Sequence, residues 1–594
     1  LYNLQYVLGD ELFLAAMQNY FDTWKIAHPY LNDFRNSIIQ FTKVDLNWFF
    51  DQWLDTNKDL DYSVKKVKKL KNDTVEITIS RNGEMEMPID LTIDSKFGLT
   101  YDYHIPNTWF TKVDTERDYL LPRWIGYGNL QEEYTFKQQV PSGVKNVIID
   151  KSNRLADSYM INNRYRGNTE FYLDWGVRRY SNLRKYEIKA RPDLWYNAYD
   201  GIKIGPSIKG DYLKKHHVFE ANFWINTGFS RKDGSNNRAN DLMVDNDIIQ
   251  NNGINNLMVD DEINKNDPFS FRFIYSTSLN KYIKNSRIRF AISSLDGLQY
   301  TSLGYELKDI SGMSTLDISL SSYNRKDDTD LNYLFGNLEW GTDAGADDMR
   351  NTNMKINSSH EYNYLFPWQD NHIDGHGDIT LSFKSSSIMS DYNFSQISLE
   401  LINRTNINDF KIHTRLFAQA GFNHGDENSF PYESMLYASG ANPEDMMHNK
   451  YTRSAGFVPH DWFSYSLTNT NHFHYGGGLN LRGYSGYYMP ERTNEMITDT
   501  LINQAYKGIS GAAFNMEIDF TDAIPYLSNF GVDSYVFMDA GFMDNNYSDD
   551  KFLSSHLYMD AGVGFTLEIS RLWNRAIDAK PLTLRLDFPV YLNR

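Results

Sequence analysis

The sequence predicts a mostly β fold: a transmembrane antiparallel β-barrel of about 16 strands, preceded by a small helical segment and a β-sandwich. Three observations predict this class. Aromatic residues make up 15% of the 594 residues, yet the mean hydropathy is only -0.56. Apolar and polar residues alternate over much of the chain, as in strands with one apolar face. No apolar run approaches the roughly 18 residues of a spanning helix, whereas barrel strands need far shorter alternating segments. A soluble all-β protein rich in tyrosine is the alternative.

Charge and cysteine content narrow the classes of partner and site. The formal net charge is -18 and the pI is about 5.3, which argues against a nucleic-acid partner. The chain has no cysteine, so disulfides and thiolate metal sites are excluded. It begins at Leu1 without a start methionine or a signal-peptide pattern. We therefore expect a longer protein, with any signal peptide upstream.

The first 62 residues are predicted to be helical. Leucines and alanines recur at helical spacing straight through Gly9, which predicts one continuous first helix. After Pro29, Asn32 or Asp33 is expected to cap a second helix. Asp45 is expected to cap a third helix with a broad apolar stripe, interpreted as core. The residues of this stripe are Leu46, Phe49, Phe50, Trp53 and Leu54.

After Tyr62 the apolar period changes from helical to two, which predicts strands. Asn82-Gly83 is a strong signal for a tight hairpin turn, so the strands on either side of it are expected to pair. A small β-sandwich over residues 63–160 follows. The alternating apolar residues are Val75, Ile77 and Ile79 before the turn, and Ile89, Leu91 and Ile93 after it.

The first 160 residues resemble membrane-alanyl-aminopeptidase-type zinc peptidases. Helical pieces look like the post-catalytic helices of that family, and the β-module is similar to the domain that follows catalysis there. The resemblance implies that residues 1–62 are the helical tail of a catalytic domain. The pieces that carry it are residues 8–13 (LGDELF), 19–21 (NYF), 48–54 (WFFDQWL) and 147–150 (VIID), with Asn153.

The catalytic residues of that family are not in this chain. Its chemistry needs an H-E-x-x-H helix, in which two histidines one turn apart hold zinc beside a glutamate. That motif does not occur: His360-Glu361 lacks the second histidine, and His216-His217 are predicted to lie beside a strand. The resemblance implies that these elements precede Leu1. We therefore expect no catalytic residue, metal ligand or cofactor here, with zinc upstream in the intact protein.

From about residue 195 to the end, strands and loops follow one another with hardly any helical period. Roughly 400 residues with strands of about 10 each can supply about sixteen strands, within the range of outer-membrane barrels. Long Asn/Asp/Gly/Ser-rich insertions are predicted at 230–268, 340–375 and 421–470, with short turns at the opposite end. The alternation is cleanest near the end: Met559, Ala561, Val563, Phe565, Leu567 and Ile569 alternate with Asp560, Gly562, Gly564, Thr566 and Glu568.

The first insertion contains a possible calcium site. Asp245, Asp247 and Asp260 could supply carboxylate oxygens, but the complete ligand spacing of a twelve-residue calcium loop is missing. A hydrated loop is the simpler interpretation of these acidic residues.

Arg482 stands in a glycine-rich segment, YGGGLNLRGY at 475–484. Such an arginine among barrel strands is explained if the segment folds into the lumen, where the charge needs a partner. In FMDAG at 537–541, Asp539 shares a face with Phe537 and Gly541, away from the apolar residues. A bidentate pair between Arg482 and Asp539 is therefore predicted.

These motifs resemble the outer-membrane assembly-factor (bacterial surface antigen) superfamily. Its sixth extracellular loop carries a [V/L]-R-G-[F/Y] motif tucked against an F-x-D-x-G strand, and both occur here in that order. Residues 515–517 (NME), 559–564 (MDAGVG) and 584–589 (LRLDFP) resemble its neighbouring strands. The peptidase-like segment takes the place of the POTRA modules that usually precede the barrel. The loop lock that the resemblance implies comprises Arg482, Gly483, Tyr484, Phe537, Asp539, Gly541 and Glu517.

The two resemblances imply a domain order and a location. Residues 161–194 are expected to be a linker, 195–594 an outer-membrane β-barrel, and 1–160 to lie on the periplasmic side. Three functions stay open: membrane-tethered peptide processing in the intact protein; outer-membrane protein insertion, polypeptide export or peptide uptake; and a degenerate peptidase that only binds. An upstream H-E-x-x-H would make the intact protein an enzyme. Expected partners are outer-membrane lipid, peptides, and other outer-membrane proteins or lipoproteins.

Overall fold

The computed structural model divides the chain into two compact units. The first comprises Leu1–Phe171 and Ser181–Glu187, and the second Tyr172–Tyr180 and Ile188–Arg594. The structure describes residues 1–112, 119–124, 131–141, 143–174, 180–197, 201–227, 268–280, 282–295, 298–325, 350–368, 371–425, 430–438, 440, 442, 444–445, 478–483, 507–524, 531–544, 557–568 and 583–593.

The first unit begins with helices whose ends differ from those predicted. Gly9 breaks the expected first helix in two, because its φ of 81° lies outside the helical region. The second predicted helix starts after Tyr30, and Asp33 reaches back to accept the Tyr30 N–H at 2.8 Å. Asp45 does precede the last helix and accepts the Asn47 N–H. The helices are α1 (Tyr2–Leu8), α2 (Asp10–Trp24), α3 (Leu31–Thr42) and α4 (Asn47–Leu54).

The first unit also contains seven described strands: β1 (Tyr62–Lys69), β2 (Thr74–Arg81), β3 (Ile89–Ser95), β4 (Thr100–Ile105), β5 (Tyr119–Leu120), β6 (Glu133–Gln139) and β7 (Val144–Ile149). They form two small sheets, in the orders β1-β2-β6 and β5-β4-β3-β7. The predicted hairpin at Asn82-Gly83 is wrong, because β2 and β3 belong to different sheets. Gly83 instead passes so close to the Asp59 backbone that a Cβ there would lie 2.6 Å from its oxygen. A 3-10 turn at Met160–Asn163 follows β7.

One hydrophobic core joins the helices to both sheets. It runs across residue 62, where the sequence predicted a boundary between a helical tail and a separate sandwich. The helices bury Leu4 and Phe50 against the same cluster as Ile77 and Ile93 of the sheets. Residues 1–160 therefore share a single core, since apolar faces of both element types are covered only by each other.

The second unit contains a sixteen-stranded sheet in which chain neighbours are sheet neighbours. The predicted linker at 161–194 is wrong, because residues 169–173 and 186–194 within it belong to strands of this sheet. Strands β10 to β25 pair antiparallel. The sheet contains β8 (Thr169–Leu173), β9 (Tyr186–Asn197), β10 (Gly201–Tyr212), β11 (His216–Asn226), β12 (Phe269–Ser278), β13 (Ser286–Leu295), β14 (Leu298–Lys308), β15 (Ser314–Arg325), β16 (Arg350–Trp368), β17 (Asn371–Ser386), β18 (Phe394–Ile407), β19 (Phe410–Asn423), β22 (Gly511–Asp519), β23 (Val532–Met543), β24 (Tyr558–Glu568) and β25 (Thr583–Leu592).

The three longest connections within this antiparallel part follow β11, β15 and β19. These strands run in the same direction, so the connections leave the sheet at the same end. Of the predicted insertions, 230–268 lies almost wholly outside the described residues. The one at 340–375 is wrong from Arg350 onward, where the chain forms β16 and β17. In the third, a 3-10 turn at Tyr432–Ser434 precedes β20 (Leu436–Tyr437), which pairs with β21 (Lys507–Gly508).

Among the described residues, no helix is both long enough and apolar enough to cross a membrane.

One face of the sheet exposes many apolar side chains, and the other face buries many polar ones. On the lipid face, Leu416 is 48% exposed and Val536 40%. On the opposite, lumen face, Arg415 is 9% exposed and Asp539 is fully buried. A soluble sheet does the reverse, whereas a transmembrane barrel places apolar residues toward lipid and polar residues inward. The predicted mostly β fold with a sixteen-stranded transmembrane barrel is therefore confirmed, and the soluble alternative is wrong.

Candidate functional site

Arg482 lies against the lumen face and is bound by two strands. Its Nε and Nη2 atoms each donate to one oxygen of Asp539 on β23, both at 2.7 Å, in a bidentate pair. Its Nη1 donates to Glu517 of β22 at 2.6 Å. The Arg482 backbone N–H also donates to Asp539, at 3.2 Å. The guanidinium carbon stands 3.9 Å from the centre of the Phe537 ring, a cation–π contact.

The segment that carries Arg482, residues 478–483, is shaped by backbone and apolar contacts. Gly478 and Asn480 adopt the left-handed conformation, with φ of 51° and 53°, which glycine and asparagine tolerate best. Leu479 and Leu481 are fully buried. They pack with side chains of the sheet, of β20 and of the residue that follows β20, namely Phe417, Leu436, Ala438, Ala513, Met543 and Tyr558. Apolar packing therefore brings the segment to the wall, and Arg482 bonds it there.

Glycine is required at two of the predicted lock positions. A Cβ on Gly483 would lie 2.6 Å from the Asp560 Cβ and 2.8 Å from a methyl of Leu592. A Cβ on Gly541 would lie 2.9 Å from the Ala512 backbone oxygen and 3.2 Å from a methyl of Leu481 in the arginine segment. At both glycines the shortest distance is too short for a side chain, so the arginine segment and its strand approach each other at glycine positions.

Arg585 of β25 extends the ionic cluster. It donates to Glu517 at 2.5 Å through Nη2 and to Asp587 at 3.1 Å through Nε. Its guanidinium carbon lies 4.5 Å from the Tyr535 ring centre, and the Tyr535 hydroxyl donates to Asp587 at 2.6 Å. Glu517 therefore accepts from both Arg482 and Arg585, which ties the segment to the last strand as well as to β22 and β23.

Arg415 of β19 holds the other side of the segment. Its Nη2 donates to the Gly478 carbonyl and its Nη1 to the Asn515 side-chain oxygen, both at 3.0 Å. Its Nε donates to Glu400 at 2.6 Å. Asn515 in turn donates to the Asn480 carbonyl at 2.9 Å and to Asp539 at 3.0 Å. The wall thus recognises the backbone of the segment as well as its arginine.

Asp560 of β24 is the exception in this cluster. It lies opposite Asp539 in the strand register and is fully buried. Among the described residues, neither of its carboxylate oxygens has a hydrogen-bond partner. Buried carboxylates are normally paired or hydrogen-bonded, because an isolated one is costly.

The structure brings most of the predicted lock residues together at one site. Arg482, Asp539, Glu517 and Phe537 are in contact, and Gly483 and Gly541 allow the close approach. Tyr484 lies outside the described residues. The sequence interpretation missed five contributors, although charged residues between apolar neighbours, as in LRLDF at 584–588, were a usable signal. The missed residues are Arg415, Asn515, Asp560, Arg585 and Asp587.

Metal chemistry finds no support in the described part of the chain. No group of three His, Asp or Glu side chains there is placed to hold a metal ion. His360 lies on β16 beside the Ser314 hydroxyl, and His217 on β11 contacts the Tyr275 hydroxyl. The possible calcium ligands at 245, 247 and 260 lie outside the described residues. The hydrogen bonds around Arg482 can fix residues 478–483 to the lumen face of the sheet.

No family model matches the chain. No curated protein matches it. It is similar to BamA from Haemophilus ducreyi lacking POTRA domains 1-3, at 11% identity and a TM-score of 0.33, covering 68% of this chain and 69% of that one. It is also similar to OprD of Pseudomonas aeruginosa, at 8% identity and a TM-score of 0.30, covering 68% of this chain and 86% of that one. A BenF-like porin of Pseudomonas fluorescens is similar at 8% identity and a TM-score of 0.30, covering 88% of this chain and 93% of that one. The fold assignment rests on the strand pairing and burial described above.

Proposed function

We propose that this chain is an outer-membrane β-barrel that handles polypeptides, by insertion, export or uptake, with residues 1–160 on the periplasmic side. The observation that carries the proposal is the segment 478–483 bound inside the lumen. Barrels with an apolar outer face are the β-structures that span membranes. Outer-membrane lipid surrounds such a barrel, and other outer-membrane proteins or lipoproteins are the partners it would work with.

The chemistry of the lumen wall supports a polypeptide substrate. Arg415 and Asn515 bind backbone carbonyls of the segment, while Arg482 is received by carboxylates on the wall. Donors for main-chain carbonyls recognise any peptide, whatever its side chains. A wall that already binds a polypeptide segment in this way is suited to polypeptides more than to small solutes.

A test of this function compares outer-membrane protein content between strains. Arg482→Ala should lower the amount of folded outer-membrane proteins or exported polypeptide, because the bound segment loses both carboxylate contacts. The matched control is Arg404→Ala on β18, whose ion pair with Asp378 is partly exposed. Unchanged client levels in a strain that lacks the protein altogether would refute the proposal.

The proposed orientation has its own test. Protease added to intact cells should leave residues 1–160 uncut, whereas the same protease should cut them after the outer membrane is permeabilised. Cleavage of this region from outside would refute a periplasmic position.

A second candidate is peptide processing by the intact protein, favoured by the peptidase-like pieces in residues 1–160. Zinc would be held by residues upstream of Leu1, and peptides would be the substrate. The intact protein should then release N-terminal amino acids, lose that activity with a chelator and regain it with zinc, while the chain from Leu1 shows none. Absence of activity in the zinc-loaded intact protein would leave a peptide-binding surface instead.

A further inference from the structure

A second stretch of the β19–β22 connection also lies against the lumen wall. This stretch, the acidic segment, is defined by the described residues among 430–445. We propose that it is fastened by an anchor of its own on β16, β17 and β18, apart from the Arg482 cluster, so that the two described stretches of the connection, the acidic segment and residues 478–483, form a plug held at two points. The second anchor would hold equally in a barrel with any other function.

The second anchor is built from buried side chains of three neighbouring strands. Asn351 of β16 donates from Nδ2 to Glu433 at 2.8 Å and to the Ser434 hydroxyl at 3.1 Å. Gln396 of β18 donates to the Ser434 carbonyl at 2.7 Å. Lys384 of β17 makes an ion pair and hydrogen bond with Glu444.

The charged side chains of this anchor are buried, so loss of a contact would cost more than at the surface. Glu433 is 1% exposed, and Lys384 and Glu444 are 7% exposed each. Ser434 also donates to Glu444, so Glu444 is bound both by Lys384 of the sheet and by the segment itself. Buried charges persist when they are paired, and removing one partner leaves the other uncompensated. Apolar packing adds to this anchor, because the Phe430 and Phe394 ring centres are 5.0 Å apart.

The two anchored stretches are joined to each other inside the lumen. The Leu481 N–H donates to the Ala438 carbonyl at 2.9 Å. Leu436 and Ala438 of the acidic segment pack in the same apolar cluster as Leu479 and Leu481. The polar contacts of the acidic segment lie on β16, β17 and β18, and those of residues 478–483 lie on β19, β22, β23 and β25. The two stretches therefore form one plug, and each anchor helps to fasten the whole of it.

The two anchors predict how the ion conductance of the barrel should change when one or both of them are removed. Sixteen-stranded barrels without a plug enclose an aqueous channel. Loss of one anchor leaves the plug fastened by the other, so neither single change should open the channel fully. Loss of both should raise the conductance by more than the product of the single effects, the signature of two supports for one element.

The experiment measures ion conductance of the full chain in planar lipid bilayers. We compare the unchanged chain with Arg482→Ala, Lys384→Met and the double variant. The control is Lys209→Met, which removes a lysine paired with Glu220 between β10 and β11. We expect low conductance for the unchanged chain, the single variants and the control, and a several-fold higher conductance for the double variant. A double variant that conducts no better than Arg482→Ala overturns the second anchor.

A disulfide pin tests the same anchor by restoring it. The chain has no cysteine, so Asn351→Cys with Ser434→Cys introduces the only pair that can form. In the double variant, oxidation of this pair should return the conductance to the low level, and reduction should raise it again. The control pair is Ser322→Cys with Thr352→Cys, which face each other on β15 and β16. If the first pair forms its disulfide and the conductance stays high, the proposal is wrong.

Discussion

Arg482 uses its planar guanidinium group to reach two strands at once. Two nitrogens face the two oxygens of Asp539, and a third reaches Glu517. A lysine ammonium is compact and cannot span both carboxylates from the same position. The side chain is 4% exposed, so a carboxylate that loses its contact with Arg482 becomes an unpaired charge in a buried site. The strength of the contact therefore depends on an arginine rather than on a positive charge alone.

Arg482→Lys should weaken the folded barrel, and Arg482→Ala should weaken it more. Removal of one partner of a buried ion pair costs about 3–5 kcal/mol, and lysine should recover only part of this. The measurement is the temperature at which the folded band disappears in semi-native SDS gels. Arg404→Lys, in a partly exposed pair, serves as the control and should show no change. Equal temperatures for all three variants would contradict the prediction.

Asp560→Asn should stabilise the folded barrel, whereas the Arg482 variants should destabilise it. Asp560 is buried opposite Asp539, so both desolvation and the Asp539 carboxylate oppose a negative charge on it, and asparagine keeps the shape of the side chain without that charge. We expect the unfolding temperature in the same gels to rise, by the equivalent of about 1–3 kcal/mol. Asp539→Asn is the matched comparison and should lower it. A fall for both variants would show that Asp560 has a stabilising partner.

At the scale of elements, Asp157 joins a late segment of the first unit to the start of β1. Its two oxygens accept the N–H groups of Tyr62 and Tyr159, at 3.0 and 2.8 Å. Burial nevertheless raises the pKa of Asp157 from its ordinary value of 3.8 to about 7, and the nearby Asp61 adds to the shift. Desolvation therefore outweighs the two backbone donors, which favour the charged form.

The contact between Asp157 and the start of β1 should stabilise the first unit less as pH rises. Between pH 3.8 and about 7 the folded state keeps a proton that the unfolded state has lost, so the free energy of unfolding decreases through this window and levels off above it. The measurement is amide hydrogen exchange at Tyr62 and along β1, corrected for intrinsic rates, at pH 5 and pH 8. Asp157→Asn should remove most of the pH dependence, while Asp22→Asn, exposed on α2, should leave it intact. Equal protection at both pH values in the unchanged chain would contradict the prediction.

At the scale of the whole molecule, the barrel inverts the burial pattern of a soluble protein. Leu381 of β17 and Leu399 of β18 are register partners, and both are exposed. The next pair, Phe383 and Ile397, is exposed as well. Such a continuous apolar band is a liability in water and a requirement in lipid. Membrane insertion is therefore the condition under which this sheet is stable.

Leu399→Arg should impair membrane insertion, because it places a charge near the middle of a strand on the lipid face. Arginine near the middle of the bilayer costs about 2–4 kcal/mol in such barrels. The measurement is the folded fraction after refolding into lipid vesicles over a urea series. Ser398→Arg, one residue away on the lumen face, is the control and should insert more readily. Equal loss in both variants would argue against the assignment of the two faces.

The site residues that could be predicted from the sequence were those that depend on neighbouring residues alone. Side chains of a strand alternate between two faces, so the parity of Phe537, Asp539 and Gly541 could be read from neighbouring residues alone. Arg482 stood out because a charge in a glycine-rich segment between strands needs a partner. The same parity argument, applied to Arg415 and Arg585, would have indicated two further lumen residues.

By itself, the sequence determined that the chain is mostly β, that a barrel of about sixteen strands follows helices and a β-module, and which face meets lipid. These features depend on periodicity, which is a property of neighbouring residues. Only the tertiary structure decided that the chain passes from one sheet to another at Gly83, that Asp560 is buried opposite Asp539, and that Lys384 pairs with Glu444. The physical reason is that such contacts join residues far apart in the chain, and strand register sets their distance.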